Sequence, residues 1–164
     1  MAYLFTNPYP KSDNIYYFET DSGLVYEVLF KPSPYLLGNE KSDFAEFIFE
    51  FIISIEQNDE NKIPKTDKKI GKTAAAIFKD FYLKKGNAVT IYICDSSDGK
   101  QLIRKRKFDQ WFNEFRTFEF TKIDELLLDS NKTEIPIGLI ISKKNPFILQ
   151  IVAAFVKIAI DYSK

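Results

Sequence analysis

The chain has 164 residues, 45% of them hydrophobic, with 23 Lys plus Arg against 23 Asp plus Glu. That length suits one domain, residues 1–164, with a real core, and the zero net charge excludes a uniformly basic nucleic-acid coat or an acidic tail. With no histidine and one cysteine, Ser-His-Asp and Cys-His catalysis, His-ligated zinc and an intrachain disulfide are excluded, and a reducing, cytoplasmic setting is expected.

The first eight residues carry neither a basic n-region nor a long apolar run, so no signal peptide is expected. Residues 15–19 and 24–30 are β-rich and flank Thr20-Asp21-Ser22-Gly23, which reads as a hairpin; Lys31-Pro32-Ser33-Pro34 then breaks the sheet. Residues 44–56 alternate. Phe47, Phe49, Phe51, Ile53 and Ile55 fall on one face, and Glu46, Ile48, Glu50, Ile52 and Ser54 on the other, as in a long antiparallel strand. Residues 57–65 are polar and read as a flexible loop.

A first helix follows, with Thr66 or Asp67 as N-cap and Ile70, Ala74, Ile77, Phe78 and Phe81 on its apolar face. Lys84 and Lys85 suit its C-terminal dipole and Gly86 the position beyond it. Val89 to Cys94 reads as a short strand. Phe108, Trp111, Phe112 and Phe115 mark a second helix, residues 118–128 and 135–143 a second hairpin, and Asn145-Pro146 the start of a last helix. The order ββ-β-α-β-α-ββ-α defines an α+β fold, a mainly antiparallel sheet packed by about three helices. The last helix is too short to span a membrane, and Gln150 and Lys157 give it a polar stripe.

Phe 16, Tyr 9 and Trp 1 are a heavy aromatic load. Rings on periodic apolar faces point to a Phe-built core rather than a stacking surface. Tyr16, Tyr17, Phe18 and Tyr26 put rings on both faces of the first hairpin, so a helix must cover one of them or a base-stacking surface results. Gly71-Lys72-Thr73 imitates the tail of a phosphate-binding loop, but Thr66 stands where its first glycine belongs. The apolar stripe also places Gly71 inside the helix.

The densest polar cluster runs from Asp95 to Lys107. Leu102 and Ile103 do not share the face of Phe108 and Trp111, so the chain is expected to change course around 104–107. A helix starting there would set Arg104, Lys105, Arg106 and Lys107 against a positive dipole end. Such a conflict fits either an anion site or a surface neutralised by Asp95, Asp98 or Glu114. Asp95 and Asp98 are weak metal candidates. Cys94 reads as a small buried hydrophobe, with a thiolate activated by Arg104 or Arg106 as the alternative. Asn131-Lys132-Thr133 is a glycosylation sequon without a secretory signal.

The segment Tyr92-Ile93-Cys94-Asp95, Asp98-Gly99-Lys100-Gln101, Arg104, Arg106-Lys107-Phe108 and Trp111-Phe112 resembles an uncharacterised bacterial family of small proteins, known as a domain of unknown function. Residues 17–26 resemble the start of the same family. The resemblance implies a compact intracellular bacterial protein and brings no activity, cofactor or substrate. The residues themselves point to a non-enzymatic binding module whose 104–107 run addresses a nucleic-acid backbone or an acidic protein, with no cofactor. Two alternatives stand beside it: a His-free nuclease or toxin-like enzyme using Asp95 and Asp98 with a metal, and a homo-oligomer built on the C-terminal helix.

Overall fold

The computed structural model describes residues 1–8, 12, 14–38 and 41–162. Strands β1 (Phe5–Thr6), β2 (Ile15–Glu19), β3 (Val25–Pro32) and β4 (Ile48–Gln57) precede helix α1 (Lys68–Lys84). Strand β5 (Val89–Ile93), helix α2 (Gln101–Phe115), strands β6 (Phe120–Leu128) and β7 (Glu134–Ser142) and helix α3 (Ile148–Tyr162) follow. All strands join one seven-stranded sheet in the order β1-β2-β3-β4-β5-β7-β6. The fold is the expected α+β arrangement, with the two-residue β1 added at the edge beside β2.

Every pairing is antiparallel except β4 with β5, which is parallel over Ile48↔Val89, Phe49↔Thr90 and Glu50↔Ile91. A parallel pair needs a crossover, and α1 supplies it. Beyond Glu50, β4 continues to Gln57 on β3 alone, while Ile93 of β5 pairs with Ile137 of β7. The two halves of the sheet therefore part from this joint onward. Phe108 of α2 bridges the parting, with its ring 5.6 Å from Phe51 of β4 and stacked 4.2 Å from Tyr92 of β5.

The aromatic load is mostly core. Tyr16, Phe18, Tyr26, Phe30, Phe49 and Phe51 on the sheet meet Phe78, Phe81 and Tyr82 of α1 and Phe115 of α2. Phe30 stacks on Phe81 at 3.8 Å. The helices thus cover the inner face of the first hairpin, and only Tyr17 among its four singled-out rings faces the other way, its hydroxyl donating to Glu27. A second cluster lies across the sheet, where Ile151 and Phe155 of α3 pack on Ile91, Leu139 and Ile141.

Several boundaries differ from the sequence reading: Lys31 and Pro32 do not break the sheet but continue β3, paired with Glu50 and Phe49, and α3 begins at Ile148 rather than Pro146. Residues 45–47 form a 3-10 turn, so Phe47 swings out of the strand alternation and stacks on Phe147. Helix α1 is capped by Lys85, whose amide donates to the Phe81 carbonyl, and Gly86 has no positive φ. Helix α2 begins at Gln101 and runs through 104–107 unbroken. Leu102 and Ile103 need not share the face of Phe108, because they stay 53% and 51% exposed.

Tyr92 lies opposite Gly138 in the register, and its ring crosses β7 to hydrogen-bond Asp124 on β6. A Cβ on Gly138 would stand 2.2 Å from that ring, a close approach only glycine permits. Gly138→Ala should therefore lower unfolding stability by about 1–3 kcal/mol in urea titrations. Gly86→Ala, with open space around it, should stay within ~0.5 kcal/mol of wild type. Equal stability of the Gly138 variant would contradict the packing described.

Candidate functional site

The turn after β5 and helix α2 position the charged side chains singled out in the sequence. Asp95 to Lys100 leave β5 in a turn with Gly99 at φ +70°. Asp98 precedes α2, and Arg104, one turn into it, reaches back. Its guanidinium donates two bonds of 2.6 Å to the Asp98 carboxylate and one of 2.8 Å to the Asp95 carbonyl. This fork is the geometry a guanidinium offers a carboxylate. The hydrogen bond from Arg104 first, and then the Lys100 amide, holds the Asp98 carboxyl well below the usual range. Asp95 is lowered mainly by the Ser97 hydroxyl and amide. Arg104 engages the Asp98 carboxylate and Ser97 the Asp95 carboxylate, and among the described residues no group of three or more metal-ligating side chains forms.

Lys105 turns the other way, donating 2.7 Å to Asp109 one turn on. Lys122 of β6, its side chain only 8% exposed, sits 2.7 Å from Asp109 and also bonds Asp124. Burial works to raise the Asp109 carboxyl, but hydrogen bonds from Lys105 and Lys122 and their charges outweigh it, so the net shift is downward. Burial and the Asp124 charge push Tyr92 far up, so its hydroxyl stays a donor. Cys94 is fully buried, and burial pushes its thiol to about 11 despite the nearby cations, which removes the activated-thiolate alternative.

The basic run therefore divides. Arg104 and Lys105 are held by acids of the same chain, whereas Arg106 and Lys107 are exposed and have no ion-pair partner among the described residues. The run also stands inside α2 rather than at its mouth, so the expected clash with the dipole does not arise.

Helix α1 brings further cations that the sequence reading did not single out. Lys68, Lys72 and Lys79 are exposed, lie within one arc of the helix by their spacing of four and seven, and have no ion-pair partner among the described residues. Gly71 packs against Trp111, where a Cβ would stand 2.5 Å from the indole, and Phe78 lies 5.6 Å from Phe115. Both contacts advance in the same chain direction, so α1 and α2 run parallel, and Lys107, one turn before Trp111, is level with the start of α1. The glycine of the loop-like Gly71-Lys72-Thr73 thus serves helix packing, inside the helix as the apolar stripe required. The lysine spacing with no intervening acid was the signal available in the sequence.

Two other surfaces complete the survey. Leu149 and Ile160 lie exposed on the outer side of α3, beside an ion pair of Lys157 with Asp161 at 3.5 Å. Among the described residues no helix is long and apolar enough to cross a membrane. A cleft of about 740 Å³ opens at the start of α1, lined by residues of the 20–24 turn, β3 and the 62–67 loop, with Tyr3 at its edge.

With this geometry in place, the chain can be set against known proteins. A family model covers residues 66–157, from the N-cap of α1 into α3. The protein belongs to this class, a family of unknown function. That family is DUF6169. The 92–112 segment falls inside the match and the 17–26 segment outside it. No curated protein and no solved structure matches the chain.

The lowered Asp109 carboxyl has a consequence for pH. Its unfolded value is near ~3.9, so its contribution to stability is complete above that pH and is lost as pH falls through the lower folded value. Thermal unfolding followed from pH 7 down to about pH 2 should show wild type losing stability below pH 4 more steeply than Asp109→Asn. Parallel curves would remove Asp109 from the acid-sensitive set.

Proposed function

We propose that this protein is a non-enzymatic binding module of the bacterial cytoplasm. Its outer α1–α2 face takes the phosphate backbone of a nucleic acid. The observation that carries this reading is the group Lys68, Lys72, Lys79, Arg106 and Lys107: five exposed cations on two adjacent parallel helices, none of them paired with a carboxylate among the described residues. In a chain of zero net charge, these five cations leave the face net positive, with Glu114, seven residues after Lys107, the exposed acid on the same arc of α2.

Lys68 and Lys79 stand roughly 16 Å apart along α1 at 1.5 Å per residue, long enough to follow several phosphates of one strand. Ala75 and Ala76 between them keep the helix surface low, so a backbone can approach. An acidic protein partner fits less well, because protein interfaces need apolar or aromatic anchors at their centre. On this face Trp111 is half-buried against Gly71, and the exposed Leu83 and Ile103 stand toward the far ends of the two helices rather than at the centre. Phosphate contacts without base readout predict binding with little sequence preference. Arg104 and Lys105 act on this surface indirectly, Arg104 by fastening the start of α2 to Asp98 and Lys105 by holding Asp109.

Fluorescence anisotropy with labelled single-stranded RNA and duplex DNA across a salt series tests the reading. Affinity should fall steeply with salt, with each phosphate contact adding about 0.7–0.9 to the slope. Lys72→Ala/Lys79→Ala and Arg106→Ala/Lys107→Ala should each reduce that slope by roughly 1.5. Absence of binding at low salt, or a slope unchanged in both variants, would defeat the proposal and leave an acidic protein as the partner to seek.

A further inference from the structure

We infer that the cleft at the start of α1 is a second, separate site, which binds a compact organic anion, a carboxylate or phosphate ester carrying an apolar body. The cleft of about 740 Å³ has an apolar floor of Leu24, Tyr26 and Ile70. Tyr26 is 9% exposed, lines the cleft, and its hydroxyl has no hydrogen-bond partner among the described residues. That hydroxyl is not among the sealed, unpartnered polar atoms of the described residues, so it meets the open space of the cleft and is available to a group that enters it. The ring itself is fixed by stacking on Phe18 at 5.1 Å, so the hydroxyl is held in place before a ligand arrives.

The sign of the ligand follows from which polar groups are already committed. Asp67 accepts from the Lys69 amide, as N-cap of α1, and from the Tyr3 hydroxyl. Asp21 is held by the Lys69 ammonium, and Thr20 and Ser22 bond each other. Lys62 is engaged by the Ser22 carbonyl and Glu60. The Tyr26 hydroxyl, the Thr66 hydroxyl and the Lys65 ammonium remain without side-chain partners among the described residues. All three donate hydrogen bonds, and burial first and the Asp67 charge second raise the Tyr26 pKa, so its proton stays on. An acceptor-rich anionic head therefore suits the rim and an apolar body the floor. Ile63 lines the mouth while 85% exposed, and a ligand's body would give that side chain an apolar surface to cover. The cleft also lies where ligands gather in sheets with parallel strands, past the C-terminal end of a strand that opens a crossover.

Isothermal titration with four probes tests this. Benzoate and phenyl phosphate share an apolar ring and differ in the anionic head, benzyl alcohol lacks the charge, and inorganic phosphate lacks the body. At least one of the two aromatic anions should saturate below about 1 mM and bind at least tenfold tighter than benzyl alcohol and inorganic phosphate. Which of them does so separates a carboxylate from a phosphate ester. Tyr26→Phe, which keeps the stacked ring, and Lys65→Ala, at an exposed loop position, should each weaken the binding several-fold while nucleic-acid affinity of the Tyr26 variant stays that of wild type. No saturation by either aromatic anion at about 10 mM, equal binding of benzyl alcohol, or unchanged affinity in Tyr26→Phe would overturn the site, whatever the outcome on the α1–α2 face.

Discussion

Three register pairs between β4 and β5 hold the architecture together. Ile48↔Val89, Phe49↔Thr90 and Glu50↔Ile91 make the one parallel joint in an otherwise antiparallel sheet. Antiparallel strands can be joined by tight turns, but this joint forces the chain to cross a face of the sheet, and the crossing is α1. Because α1 crosses there, Phe78, Phe81 and Tyr82 land on the rings of β3 and β4, and the aromatic core forms on that face. The parting of the strands beyond Glu50 then needs a plug, and Phe108 of α2 provides it. Seating Phe108 and Trp111 brings α2 against Gly71, which lays the two helices side by side. The outward cations of both follow from that one placement.

Charge is sorted by the same arrangement. Acids that leave β5 or stand on the inner side of α2 meet Arg104, Lys105 and Lys122, and the pairings are used up in fixing the helix start and the α2–β6 contact. The exposed Arg104–Asp98 pair contributes little to stability, unlike the pair that Asp109 makes with the buried Lys122 side chain. These pairs fix the start of α2 and its contact with β6, and Arg106 and Lys107 stay outside them. A zero net charge thus coexists with an uncompensated face, because neutrality is a property of the whole chain and not of any surface on it.

Much of this was legible in the sequence where a period reports a buried face. The alternation of Phe49, Phe51 and Ile53 and the stripe Ile70, Ala74, Ile77, Phe78, Phe81 mark surfaces that the structure buries. The start of α2 was not legible, since Leu102 and Ile103 break the apolar period by staying in solvent. Nor could the sequence say whether the 104–107 run was paired, because Asp98 lies six residues before Arg104 and meets it only through the turn at Gly99. Lys122 reaches Asp109 across the strand that follows α2. The cleft left no sequence trace at all. Tyr3, Asp21 with Tyr26, and Asp67 converge from three separate stretches, and convergence has no period.

The two proposed sites share the start of α1 but ask opposite things of it. On the outer face, Lys68 and Lys72 stay unpaired, and a long polyanion can slide along them because nothing there encloses it. On the inner side, Asp67 caps the helix and Tyr3 and Lys69 crowd around it, so the amides of the first turn are closed to a bare phosphate. An anion reaching this side has to gain its affinity from Tyr26 and the apolar floor instead of from the helix end. That difference separates the partners by shape: an extended backbone without a body for the outer face, a small molecule with one for the cleft. Asp67 is the residue that enforces it, since the carboxylate that caps the helix leaves an anion in the cleft to be held by Tyr26, Lys65 and the apolar floor.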